Sequence, residues 1–241
     1  MIETLLVDLD GTLLGLDIDR FLPVYLQRLA AFVGEAVRLP DFPDRLVAAA
    51  QEMVRSRQDA RTNAEAFYET FRRGLAPEVS AACDGAFVAF YRDVFPTLRE
   101  HTRPVPGARG FVRTARERGL RLVLTTSPVF PRFVIEERLA WAGIGPDAFE
   151  GITCFETAHF NKPDPRYYEE VLRRFALDAR GTLMIGNDLR DDGAATLAGI
   201  AFAFVDGRFA RVADAVGTPI WRGSMLRLHR ALERGEPPFA G

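Results

Sequence analysis

Asp8 and Asp10 stand one residue apart at the end of the apolar run Thr4-Leu5-Leu6-Val7, and Gly11 follows them. In a strand, alternate side chains share a face, so two carboxylates at this spacing leave the strand end together. Adjacent acids repel unless a cation or a shared proton relieves them. The pair therefore suits a site that attracts positive charge or moves a proton. Three later segments carry complementary chemistry. Leu122-Val123-Leu124 runs into Thr125, Thr126 and Ser127, hydroxyls placed just before a helix, where free backbone N–H groups favour an anion. Lys162 sits in the stiff stretch Asn161-Lys162-Pro163-Asp164-Pro165, immediately ahead of another helix. Leu183-Met184-Ile185 ends in Gly186-Asn187-Asp188, with Asp191 and Asp192 close behind.

Lys162 is the single lysine among 31 basic residues; the rest are arginine. A chain that supplies arginine wherever either residue serves keeps lysine where a compact ammonium is needed and a planar guanidinium would not do.

These segments need elements to position them. A short apolar run, Leu5-Leu6-Val7, with glycine soon after it suits a strand buried on both faces. From about residue 20 to 98 the pattern is helical throughout. Leu22, Leu26, Leu29, Val33 and Val37 recur at three- and four-residue steps, and Leu46, Ala50, Met53 and Val54 repeat the pattern after Pro43. Asn63 is placed to cap a third helix carrying Phe67 and Phe71. Cys83, Phe87, Phe90 and Val94 mark a fourth, ended by Pro96. Four helices with short connections make a small bundle whose aromatic stripes are expected to be core.

Arg103-Pro104-Val105-Pro106-Gly107 is expected to be a linker. Beyond it, helices near 108–118, 131–140, 165–175 and 192–198 alternate with strands near 120–126, 151–155, 182–185 and 200–205. A short strand around 219–221 and a helix capped by Ser224 close the pattern, and residues 236–241 read as a loose tail. Alternating β and α units imply an α/β fold: a doubly wound, Rossmann-like parallel sheet with helices on both faces. The helical stretch is then an inserted α-helical bundle cap of residues 16–101. Residues 1–15 and 102–241 form the core, and both ends of the insertion return to the mouth of the site, where it can act as a lid.

Composition narrows the function classes. A net charge of −2 gives no electrostatic case for nucleic acid or an acidic membrane surface. No apolar run approaches the ~20 residues of a membrane span, and no signal segment leads the chain. Two widely separated cysteines, Cys83 and Cys154, fit reduced thiols in the cytoplasm better than a disulfide framework or a zinc site. His101 and His229 lack partners at metal or triad spacing, and His159 is expected to be structural.

An acid pair, hydroxyls, a lysine and an acid cluster, in that order at four strand ends, resemble the haloacid dehalogenase superfamily. The likeness runs over the whole chain, through Asp8-Leu9-Asp10-Gly11-Thr12, the Thr126 strand end, Lys162 and the Gly186–Asp192 cluster. It implies a phosphatase-type hydrolase of small phosphorylated metabolites, with Asp8 as nucleophile, Asp10 as general acid and base, and catalytic Thr126 and Lys162. Gly11, Thr126, Ser127 and Lys162 would bind phosphate. Asp8, Asp10, Asn187, Asp188 and Asp192 would hold Mg²⁺, whose charge, with that of Lys162, lets two acids and a phosphate dianion share a pocket.

Two places depart from the pattern. Thr125 competes with Thr126 as the phosphate hydroxyl, and Ser127 stands where relatives often have Asn. Asn187 follows Gly186 where relatives usually place a metal-binding Asp, so either Asn187 or Asp188 takes that place; a hard cation's preference for an ionised oxygen favours Asp188. Asp10 argues against carbon–halogen cleavage, because phosphoester leaving groups need a proton. The competing readings are a phosphomutase on the same scaffold and a non-catalytic phosphate-binding or regulatory protein. Neither the physiological substrate nor the oligomeric state is encoded in these motifs.

Overall fold

Every residue of β1 (Thr4–Val7) is buried, as its largely apolar sequence suits a strand covered on both faces. The computed structural model describes residues 1–56 and 59–240. After β1 the chain runs through a short strand β2 (Leu14–Gly15) into four helices. These are α1 (Ile18–Val37), α2 (Phe42–Arg55), α3 (Asn63–Phe71) and α4 (Pro77–Asp93). It then returns through β3 (Arg103–Pro104) and alternates: α5 (Ala108–Glu117), β4 (Arg121–Leu124), α6 (Arg132–Trp141), β5 (Gly151–Ile152), α7 (Pro165–Arg174), β6 (Thr182–Gly186) and β7 (Ala201–Val205). The last elements are β8 (Trp221–Gly223) and α8 (Met225–Arg234).

Among the described residues the main sheet has six strands in the order β5-β4-β1-β6-β7-β8, all parallel. This is the expected Rossmann-like α/β architecture. β1 is central: the chain lays β4 and β5 to one side of it, then crosses to build β6, β7 and β8 on the other. Such a reversal opens a crevice beyond the carboxyl ends of the central strands. Val7 pairs with both Leu124 and Ile185, so the residues that follow emerge at one level.

Strand alternation divides the core. Leu5, Val7, Leu124 and Ile185 join one apolar cluster with Phe111 of α5, Ile135 of α6 and Leu228 of α8. Leu6, Val123 and Met184 point the other way, toward Tyr167 and Tyr168 of α7.

Several local expectations are corrected. Arg103–Gly107 is no linker. Leu14 pairs with Pro104 and Gly15 with Arg103 in an antiparallel ladder, and Val105 N–H donates to Leu13 at 3.1 Å. The two chain crossings are thus zipped together. The α3 cap is Thr62, in a reciprocal capping box with Glu65, rather than Asn63. Asn63 is fully buried instead, with its amide donating to Pro128 O and Asn161 Oδ1. The last strand begins two residues later than expected, at Trp221. Of the expected loose tail, Phe239 packs on Phe111 with ring centroids 6.2 Å apart, whereas Gly241 lies outside the described residues.

The helices pack in pairs, α1 on α4 and α2 on α3. Phe42, Phe71 and Phe87 meet edge-on or tilted in their centre. In α1 the buried stripe is Phe21, Tyr25, Leu29 and Val33, which leaves Leu22 39% exposed. Cys83 and Cys154 are free and buried. No described helix is long and apolar enough to cross a membrane.

Candidate active site

The central feature is a buried ammonium between two carboxylates. Lys162 Nζ donates to Asp8 Oδ1 at 3.0 Å and to Asp192 Oδ1 at 2.6 Å. Its side chain is 1% exposed. Burial works against the charged lysine, but Asp192 and Asp8 outweigh it and hold its pKa well above the ordinary value. Asp8 continues the ladder of β1, its N–H bonded to Ile185 O at 2.9 Å. Its second oxygen accepts from Thr12 Oγ1 at 3.3 Å. Both oxygens of the Asp8 carboxylate are therefore met by donors, which orients it.

Asp10 sits beside this group but is paired differently. Its Oδ2 accepts from Arg138 at 2.6 Å, while its Oδ1 is buried with no hydrogen-bond partner among the described residues. Burial raises the Asp10 pKa, with Arg138 opposing and the Asp8 charge adding to the rise. An acid in that state is suited to carry a proton and give it up. Arg138 was absent from the expected site. It is fully buried on α6, stacked over Phe130 at 4.5 Å, and Nε and Nη2 have no hydrogen-bond partner among the described residues. One signal was available in the sequence: Val134, Arg138 and Trp141 recur at helical spacing, so a guanidinium falls on an otherwise apolar face.

The hydroxyls after β4 separate by direction. Thr125 turns into the core, where its hydroxyl lies 3.5 Å from Met184 Sδ. Thr126 and Ser127 line the pocket with Asp8, Asp10 and Lys162. Thr126 O accepts from Thr153 and Tyr167, both at 2.9 Å, which fixes this strand end. Gly11 is not brought into the pocket. Its N–H is spent on Leu14 O at 2.6 Å, and its φ of +89° is one that glycine adopts freely. A Cβ at that position would meet the Asn187 amide at 2.2 Å, so Gly11 makes room for Asn187.

The acidic loop after β6 is more tied down than its sequence suggests. Asn187 accepts from Thr12 at 2.9 Å and donates to Phe209 O at 2.6 Å. Asp188 uses Oδ1 to cap the N–H groups of Arg190 and Asp191, and its Oδ2 lies 3.0 Å from Arg211 Nε. Asp192 accepts from Lys162 with one oxygen and from the Asp188 N–H with the other, at 3.0 Å. Burial pushes Asp192 up to about 8; Lys162 opposes this and the Asp8 charge adds to it. His159 bonds Glu170 at 2.6 Å, outside this group.

These side chains enclose a cavity of about 240 Å³ at the carboxyl ends of the strands. Among the described residues no three acids, histidines or cysteines converge as a closed metal cage would require. The donor chemistry nonetheless suits a small hard cation. Asp8, Asp10, Asn187, Asp188 and Asp192 all reach the same pocket with oxygen donors, and among the described residues one buried Asp10 oxygen has no hydrogen-bond partner.

Comparison with known proteins adds three findings. A family model described as a haloacid dehalogenase-like hydrolase matches residues 2–199. The phosphoserine phosphatase of Thermus thermophilus is 32% identical over 140 residues, which take in 58% of this chain and 53% of that protein. The chain thus spans about half the length of this curated relative. Two solved structures share the fold over nearly their whole length. An HAD phosphatase from Thermococcus onnurineus has a TM-score of 0.59 at 16% identity, covering 98% of this chain and 99% of that one. L-2-haloacid dehalogenase from Xanthobacter autotrophicus has a TM-score of 0.57 at 16% identity, covering 97% and 99%.

Proposed function

The chain belongs to the haloacid dehalogenase-like hydrolases, and we propose that it is a Mg²⁺-dependent phosphohydrolase of small phosphorylated molecules, working through an aspartyl-phosphate on Asp8. The observation that carries this reading is the Lys162 ammonium held by Asp8 and Asp192, with a second acid, Asp10, in the same cavity. Asp8 Oδ attacks phosphorus and the bond from phosphorus to the leaving oxygen breaks. Asp10 gives its proton to that oxygen. Water then attacks the phosphorus of the acyl phosphate, Asp10 takes its proton, and inorganic phosphate leaves. One hard displacement becomes two easier ones.

Lys162, Thr126 and Ser127 are placed to hold the phosphoryl oxygens. Asp8, Asp10 and the Asn187–Asp192 loop would hold Mg²⁺, which when bound supplies charge neutralisation and Lewis acidity toward the phosphoryl group. Residues 16–101 serve as the cap over a core of 1–15 and 102–241. The dehalogenase alternative lacks support because Asp10, an acid buried and raised in pKa, is what an alkoxide leaving group needs and a halide does not.

The test is phosphate release from a panel of phosphomonoesters by wild type and Asp8→Asn. Loss of at least about 1,000-fold is expected, on the order of 4 kcal/mol of barrier. A variant that keeps a tenth of the wild-type rate would overturn the assignment, and turnover without free phosphate would point to a mutase.

A further inference from the structure

Leu22 and Leu26 of α1, together with Tyr25 and Leu29 of its buried stripe, line a second cavity of about 200 Å³. It lies between the helices and the loop that follows β4. Ala50, Phe67, Phe87 and Phe155 form its far walls. Leu22, Val129 and Phe130 line this cavity and the catalytic one alike, so the two are immediate neighbours. Among the described residues no charged side chain lines it. Two of its polar atoms, the hydroxyls of Tyr25 and Tyr91, are 2.7 Å apart and bond each other. The catalytic cavity is rich in carboxylates, and the space directly beyond it is apolar.

We propose, building on the phosphohydrolase reading, that this second cavity receives the leaving group of the substrate. The substrate is then the phosphate monoester of an apolar alcohol about the size of one substituted benzene ring. An apolar cavity of roughly 150 Å³ takes benzene, so about 200 Å³ takes a ring with a short chain, or an alkyl chain of similar bulk. Each buried methylene strengthens binding about fourfold. A serine leaving group would bring an ammonium and a carboxylate against walls that, among the described residues, offer tyrosine hydroxyls but no charged partner for either, at a cost in affinity. The cavity therefore separates this chain from its phosphoserine phosphatase relative by the chemistry of what it excludes.

The experiment is a ladder: ethyl, butyl, hexyl and 2-phenylethyl phosphate beside O-phosphoserine, compared by kcat/KM with the wild-type protein. Binding of ethyl-, butyl- and hexylphosphonate is measured in parallel by calorimetry. Both readouts should rise by at least about 50-fold from the ethyl to the hexyl compound, with phosphoserine below ethyl phosphate. A flat affinity ladder, or phosphoserine preferred over hexyl phosphate, would overturn the assignment. A steep affinity ladder without any phosphate release would sink hydrolysis and leave the cavity's role standing. Ala50→Phe fills the cavity from α2 and should flatten the ladder to within about threefold. A thermal midpoint reports whether that variant folds. A folded Ala50→Phe protein with an unchanged ladder would put the leaving group elsewhere; if it does not fold, the wild-type ladder decides alone.

Discussion

The surroundings of the two neighbouring cavities are held together by different physics. At the strand ends, Asp8, Thr12, Lys162, Asn187 and Asp192 are buried polar groups, each bonded to another of the set. In the low dielectric there, an atom's identity matters more than its volume, because an unpaired charge costs far more than an ill-fitting methyl. Among the helices, Phe42, Phe67, Phe71 and Phe87 interlock by ring geometry alone. There volume and shape decide, and chemistry is nearly interchangeable. The contrast implies opposite responses to mutation: loss of activity at one end, loss of stability at the other.

Phe71→Ala gives the largest expected effect. Phe71 is fully buried at the centre of the ring cluster, so its truncation should cost about 3–5 kcal/mol of unfolding free energy. Denaturant melts check this, and kcat/KM of the folded fraction on ethyl phosphate should stay within a few-fold. A large kinetic loss with unchanged stability would reverse the comparison.

Lys162→Arg probes the other end. The guanidinium is planar and bulkier than the ammonium it replaces between Asp8 and Asp192. It should lower kcat/KM by at least about 100-fold, roughly 2.7 kcal/mol, while moving stability less than Phe71→Ala does. If the arginine enzyme ran within a few-fold of wild type, positive charge alone would suffice at this position.

A pH dependence sharpens the electrostatic side. A buried acid whose folded pKa is raised binds its proton more tightly in the native state than in the unfolded one. Its stabilising contribution is full below the ordinary carboxylate pKa and is lost as pH rises toward about 8. Without metal, the stability advantage of Asp192→Asn over wild type should therefore grow between pH 5 and pH 8, by up to ~1.4 kcal/mol per pH unit. Mg²⁺ should raise the wild-type midpoint most at the alkaline end, where the cation no longer competes with that proton. A midpoint that ignores Mg²⁺ throughout this range would remove the metal from the proposal.

What the sequence determined is what short spacing can carry. The two-residue step from Asp8 to Asp10 follows from strand geometry, and the buried apolar runs at Leu5, Leu122 and Leu183 announced a sheet covered on both faces. The lone lysine marked a position where charge shape matters. Family membership and the α/β architecture both followed from such local patterns. The tertiary structure decided what depends on partners far away in the chain. Arg138 reaches Asp10 across 128 residues, and Asn187 packs on Gly11 through the backbone turn. Arg103–Pro104, stiff and exposed in isolation, became a strand only because Leu14–Gly15 lay opposite it. The direction of Thr125 against Thr126 was set by which side of β4 met Met184. The apolar cavity is of the same kind: helical periodicity names the residues of a stripe, but only packing decides which of them touch a neighbour and which, like Leu22 and Leu26, line a space between helices.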